Sequence, residues 1–167
     1  NILHHPVPGG GWIGTHEDVT EREKLHSRLA SQNELLRERE LQLEAQNLKF
    51  DAALKNMSQG LCMFDPEHRL VLCNEQYLDM YRLTPEDATP GMPLQELLRR
   101  RMARGTYPKG PLPDDYMAEL IRSLNEKSEW KKVTELPDGR FIALQNRLIS
   151  DGGWLATHED VTDLRRA

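Results

Sequence analysis

The chain has 167 residues and a formal net charge of −5, with 38% hydrophobic and 29% charged residues, enough for a single core of ~100 residues with the remainder as solvated helix. The acidic balance excludes nucleic acid as the main partner, and no apolar run approaches the ~20 residues of a membrane-spanning helix. Two cysteines, Cys62 and Cys73, are too few for a disulfide scaffold and sit in apolar surroundings where free thiols are ordinary, so a reducing cytoplasmic compartment is the simplest fit.

Residues 1–20 read as strand, turn, strand, broken by Pro6, Pro8 and Gly9-Gly10-Gly11. Thr20 with Glu23 has the spacing of a capping box that opens a helix, and Asp18 adds a negative group near the positive end of the helix dipole. From Glu21 to about Met57 there is no Gly and no Pro. Leu29, Leu36, Leu43, Phe50 and Met57 recur every seven residues, one complete column of a heptad pattern. The companion column is polar in its middle, so the seam is weak. Residues 21–57 are therefore expected to form a connector helix that pairs in a parallel homodimeric coiled coil. The rival arrangement packs the helix on its own domain at one end and leaves the rest solvated.

A folded unit is expected from about residue 58 to 162. Gly60 to Phe64 and Leu70 to Cys73 read as strands around the turn Asp65-Pro66-Glu67-His68-Arg69. Asn74 caps a helix to about Arg82, and Thr84-Pro85-Glu86-Asp87 starts a single helical turn with Thr as cap and Pro at N1. Pro93 to Arg104 reads as a helix with Leu94, Leu97, Leu98 and Met102 along its apolar stripe. The basic run Arg99-Arg100-Arg101-Met102-Ala103-Arg104 is read as a solvated face. Gly105 to Pro113 is loop, and Asp114 to Asn125 is a further helix. Glu129–Leu136, Phe141–Ile149 and Trp154–Val161 complete a sheet, joined by turns at Pro137-Asp138-Gly139 and Ser150-Asp151-Gly152-Gly153. The order gives an α+β fold: a five-stranded antiparallel sheet with helices on one face, preceded by a long N-terminal helix.

One segment occurs twice. Gly10-Gly11-Trp12-Ile13-Gly14-Thr15-His16-Glu17-Asp18-Val19-Thr20 returns 142 residues later as Gly152-Gly153-Trp154-Leu155-Ala156-Thr157-His158-Glu159-Asp160-Val161-Thr162, with nine of eleven positions identical. That spacing is far beyond the ~20–50 residues of a solenoid repeat and suits tandem copies of one small domain. The chain is expected to be cut from an array: the terminal strands of one module (1–20), a helical linker (21–57), a complete module (58–162) and the start of an exit helix (163–167). Without their parent sheet, residues 1–19 are expected to be disordered or to cover Trp12 on a partner surface.

The second module resembles a PAS domain. The resemblance rests on Gly60-Leu61-Cys62-Met63-Phe64-Asp65 running into Leu70-Val71-Leu72-Cys73-Asn74, on Leu136-Pro137-Asp138-Gly139-Arg140, and on Gly152-Gly153-Trp154 running to Glu159-Asp160-Val161-Thr162. It implies a sensory module of a multidomain bacterial signalling protein, relaying a signal from an upstream PAS-like domain to a downstream output domain. It also implies a cleft between sheet and helices that takes haem, flavin or small metabolites. The family often has Gly in the first turn where this chain has His68, which should then adopt φ > 0. The Pro/Gly loop and helix over 105–125 lengthen the lid over the cleft.

The junctions Asp18, Thr20, Glu23, Asp160 and Thr162 are the candidate signal-transfer residues, because a strand there meets a helix with no loop to absorb motion. Thr162 is followed by Arg165, so its cap lacks the acidic half that Glu23 gives Thr20. The ligand is left open. Haem is disfavoured because helix 93–104 has no His and His158 lies near the end of an edge-adjacent strand. Photoactive flavin is disfavoured because Cys62 and Cys73 lie on strands. His4, His5 and His16 lack metal-ligand spacing, and Met63, Met80 and Met102 are read as core rather than cleft. Neighbouring acids such as Glu159 and Asp160 face opposite sides of a strand and make no acid/base pair, so no catalysis is assigned to this chain. The alternative is a share in an enzyme, a diguanylate cyclase or phosphodiesterase or a sensor histidine kinase, whose catalytic domain lies outside these residues.

Overall fold

The computed structural model describes residues 1–167. The chain forms two compact units, Asn1–Phe50 and Asp51–Ala167.

In the first unit, β1 (Ile2–Val7) and β2 (Gly11–His16) make an antiparallel hairpin paired from Ile2↔His16 to Val7↔Gly11. Gly9 and Gly10 turn the chain with φ of 110° and 92°, open to glycine alone without strain. The Asn1 amine donates to the Glu17 carbonyl at 2.8 Å. Residues 1–16 thus form a paired hairpin, where the sequence offers disorder or a partner's surface as alternatives. A hairpin satisfies its backbone through its own ladder; what it lacks is a surface to bury side chains. Trp12 accordingly stays 68% exposed, with only the His4 ring edge-on at 4.7 Å.

Helix α1 (Thr20–Asn56) has 37 residues and buries none of them; at ~1.5 Å per residue it is about 55 Å long. The capping box at Thr20 does not form. The Thr20 hydroxyl donates instead to Asp18 Oδ1 at 2.6 Å, and Val19 supplies the first helical carbonyl, to the Glu23 amide at 2.9 Å. Glu23 thus serves through its backbone alone. Asp18 outcompetes it because its carboxylate is two residues away and reaches both the hydroxyl and the amide of Thr20. Met57 lies just beyond the helix, so the seven-residue column within α1 ends at Phe50.

In the second unit, β3 (Gly60–Phe64), β4 (Leu70–Cys73), β5 (Glu129–Glu135), β6 (Phe141–Leu148) and β7 (Trp154–Asp160) form one antiparallel sheet in the order β4-β3-β7-β6-β5. The β3–β4 turn is organised by Asp65, whose carboxylate accepts from the amides of Glu67 and Arg69 at 3.0 and 2.8 Å; His68 takes φ 63°, the left-handed geometry expected of it. Helices α2 (Glu75–Tyr81), α3 (Leu94–Ala103) and α4 (Pro113–Lys127) follow β4, with a single 3₁₀ turn at Pro85–Asp87. Alternation sets the inner face of the sheet: Ile142, Leu144 and Asn146 on β6, and Trp154, Ala156 and His158 on β7, are buried. Leu94, Leu97, Leu98, Leu120 and Leu124 of α3 and α4 complete the core. A short helix α5 (Thr162–Arg166) ends the chain. No helix is long and apolar enough to cross a membrane.

Two placements correct the sequence reading. Arg101 is buried and Met102 exposed, the reverse of the expected stripe. β7 is the middle strand of the sheet, not an edge neighbour, and His158 is buried on its inner face.

Candidate functional site

Arg101 lies seven residues after Leu94 and three after Leu98, so the helical period carries it onto the buried face of α3. It is 4% exposed, and its guanidinium carbon sits 3.6 Å from the centre of the Tyr81 ring. Nη2 makes a long contact of 3.5 Å to the Thr106 carbonyl, and Nε has no hydrogen-bond partner. No carboxylate pairs with this cation; its surroundings are the phenols of Tyr81, Tyr77 and Tyr116. Burial pushes all three phenols up, Tyr81 to about 12, so they are neutral at physiological pH. A buried cation costs several kcal/mol after relaxation, and one π face returns about 2 kcal/mol.

Opposite Arg101, the sheet contributes a second unpaired donor. Asn146 is 2% exposed and its Nδ2 has no partner. His158, 4% exposed, shares a hydrogen bond of 2.6 Å between its Nδ1 and the Tyr81 hydroxyl. Burial, reinforced by the Arg101 charge, holds the imidazole pKa well below its ordinary value and keeps it neutral. Arg101, Asn146 and His158 line one interior cavity of about 10 Å³, together with apolar groups such as Leu98, Leu120 and Trp154.

The chain enters this unit under the control of one side chain. Asn74 caps α2 by accepting from the Tyr77 amide at 3.0 Å, and the same Oδ1 accepts from the Leu61 amide at 2.8 Å. Its Nδ2 donates to the carbonyls of Gln59 at 2.9 Å and Leu54 at 3.3 Å. The last turns of α1 are thereby held to β3 and α2. The sequence marks Asn74 as a cap; its three other bonds depend on chain paths that no local signal carries.

The exit uses the device already seen at Asp18. The Thr162 amide donates to Asp160 Oδ1 at 3.0 Å, its hydroxyl donates to the same oxygen, and the Arg165 amide bonds the Val161 carbonyl at 3.0 Å. The two junctions match bond for bond, so the difference expected from Glu23 against Arg165 does not arise. The complete sheet adds further ties at the second. The Phe141 amide donates to Thr162 Oγ1 at 2.9 Å, and Arg166 Nη2 donates to the Gly139 carbonyl at 3.0 Å. At the first junction the Thr20 hydroxyl and amide hold the Asp18 carboxyl below its usual range.

The column residues Leu29, Leu36, Leu43 and Phe50 are each more than half exposed. Cys62 and Cys73 face each other across β3 and β4; burial pushes the Cys62 thiol up, and the Cys62 hydrogen bond lowers that of Cys73.

A family model described as the PAS fold matches residues 54–167. The chain belongs to the PAS-fold family. The PAS domain of Bordetella pertussis BvgS superposes with a TM-score of 0.52 at 17% identity, covering 73% of this chain and 93% of that one. The PAS domain of a protein from Colwellia psychrerythraea gives 0.49 at 17% identity, covering 72% of this chain and 98% of that one. The Non-motile and phage-resistance protein of Caulobacter vibrioides is 26% identical over 153 residues, which are 92% of this chain and 15% of that protein. In this PAS domain the Arg101 cavity lies between the sheet and the helices. The cavity has room for about one water, and the imidazole that does face it, His158, is engaged by Tyr81.

Proposed function

We propose that this chain is the sensory and dimerising input segment of a multidomain signalling protein. Its PAS domain couples the state of the interior cavity to a downstream output domain, and two copies pair through residues 21–57. The observation that carries this reading is α1 itself: 37 residues with none buried, and apolar Leu29, Leu36, Leu43 and Phe50 standing exposed at intervals of seven. Such a column is stable in water when a second copy covers it. Its polar companion positions weaken the seam, which suits a connector that shifts between two packings.

The path through the domain has two fixed ends. Asn74 ties the incoming helix to the sheet, and Asp160 with Thr162 ties the outgoing helix to β6 and β7. A change in spacing between sheet and helices then alters the pose of α5. Residues 1–20 are the terminal strands of an upstream sister domain, a reading supported by the matching junction geometry at Asp18 and Asp160. The Caulobacter relative supports a multidomain setting, since this chain corresponds to 15% of its length.

Sedimentation velocity on residues 1–167 tests the pairing. The unsubstituted chain should sediment as a dimer, and Leu36→Glu with Leu43→Glu as a monomer with an intact PAS domain. An unchanged mass in the doubly charged variant would refute pairing through this column.

A further inference from the structure

We propose that the cavity between α3 and the sheet binds the carboxylate of a small monocarboxylic acid, held by Arg101 and Asn146. The proposal deepens the sensory reading above and rests on it for its meaning, though not for its test. Two donors on residues that line the same space have no hydrogen-bond partner: Arg101 Nε and Asn146 Nδ2, on residues 4% and 2% exposed. Native interiors rarely leave two such groups unpaired at one place. One of them belongs to a buried cation with no acidic partner, so the missing partner is an anion rather than a second dipole.

The charge balance restricts which anion. Arg101 is the single cation lining the cavity, and His158 faces it as a neutral imidazole. One positive charge with no second cation matches a monoanion; a dicarboxylate or a phosphate dianion would carry one negative charge unmatched into a dry site. The free Nε edge of a guanidinium presents a side-on fork to a planar carboxylate. Besides the phenols of Tyr77 and Tyr116, much of the remaining lining is apolar, with Leu94, Leu98 and Leu120 from the helices and Trp154 from the sheet. The apolar part of that wall takes a short hydrocarbon tail. At about 10 Å³ the space holds a water but no organic acid, so binding must part α3 and α4 from the sheet. Occupancy and the sheet-to-helix spacing are therefore one variable.

The test uses residues 1–167, titrated with formate, acetate, propionate and butyrate, with acetamide and propionamide as uncharged isosteres and succinate as the dianion. Calorimetry should give saturable binding of at least one monocarboxylate, with the amides and succinate weaker by about tenfold or more, the range lost with one charge-assisted hydrogen bond. Arg101→Met should lose binding by a similar factor. Because that variant also alters the core, the Arg101 ¹⁵Nε resonance of the unsubstituted chain is followed in parallel and should shift along the same isotherm. No saturable binding of any monocarboxylate, equal binding of acetamide and acetate, or a ¹⁵Nε signal that does not follow the isotherm each overturns the proposal and leaves a trapped water as the occupant. The dimer test reads mass alone, so either reading can fail without the other.

Discussion

His158 makes the stability of this domain depend on pH below about pH 6.5. An unfolded chain protonates a histidine near pH 6.5. In the folded chain the His158 pKa is well below that, because burial and then the Arg101 charge oppose the imidazolium. The unfolded state therefore binds the extra proton first, and acid favours unfolding. The contribution is fully present above about pH 6.5 and is lost as pH falls below it, at up to about 1.4 kcal/mol per pH unit. Between pH 7 and pH 5 the domain should lose up to about 2 kcal/mol. Asp87 and Asp138, both held low, lose their contributions only below about pH 4, outside this window. The assay is urea unfolding at half-unit steps from pH 7.5 to 5. His158→Gln keeps a polar partner for Tyr81 and removes the titration. It should be less stable than the unsubstituted domain at pH 7, with the gap closing by up to about 2 kcal/mol at pH 5. Parallel pH profiles for the two proteins would show that the imidazole is not buried neutral and would refute the reasoning.

Two substitutions probe the ends of the domain. Asn74→Ala removes four hydrogen bonds and leaves the Leu61 amide unpaired, so urea midpoints should fall by the equivalent of about 2–4 kcal/mol; a loss below about 1 kcal/mol would mean that water replaces the side chain freely. Thr162→Val keeps the shape but removes the acceptor of the Phe141 amide and the donor to Asp160, and should cost about 1–2 kcal/mol and speed amide exchange at Phe141, while exchange unchanged at that position would show that the bond does not form.

Most of the strand and helix order is legible in the residues because turns and periods are local. Asp138-Gly139, the Asp65 turn and the left-handed His68 follow from the chemistry of a few neighbours. The cavity is harder to read, though its parity is written in the chain. Leu94 and Arg101 share a phase of α3, Trp154 and His158 share a parity of β7, and Ile142 and Asn146 share one of β6. In each case residue type argues for the surface and phase argues for the interior, and phase wins because the neighbours on the same face are buried. Met102 shows the converse, an apolar side chain turned outward by its phase. The bonds of Asn74 to Leu54 and Gln59 carry no sequence signal, since they join segments separated by 20 and 15 residues. The Thr20 capping box fails for a local reason: a carboxylate two residues upstream takes the Thr20 amide, and its hydroxyl too, before one three residues downstream can reach that amide.

The Asp-Val-Thr junction also dictates where modules of this kind can be cut and grafted. Thr162 belongs to the exit helix by position and to the sheet by bonding, since its hydroxyl closes onto Phe141 and Asp160. A fusion boundary placed between Val161 and Thr162 would strip the sheet of that partner, whereas one placed after Arg166 also keeps the tie to Gly139. In a helix grafted on beyond that point, phase is counted in residues. One inserted residue turns the grafted domain by about 100°, and seven restore the original facing of a supercoiled pair.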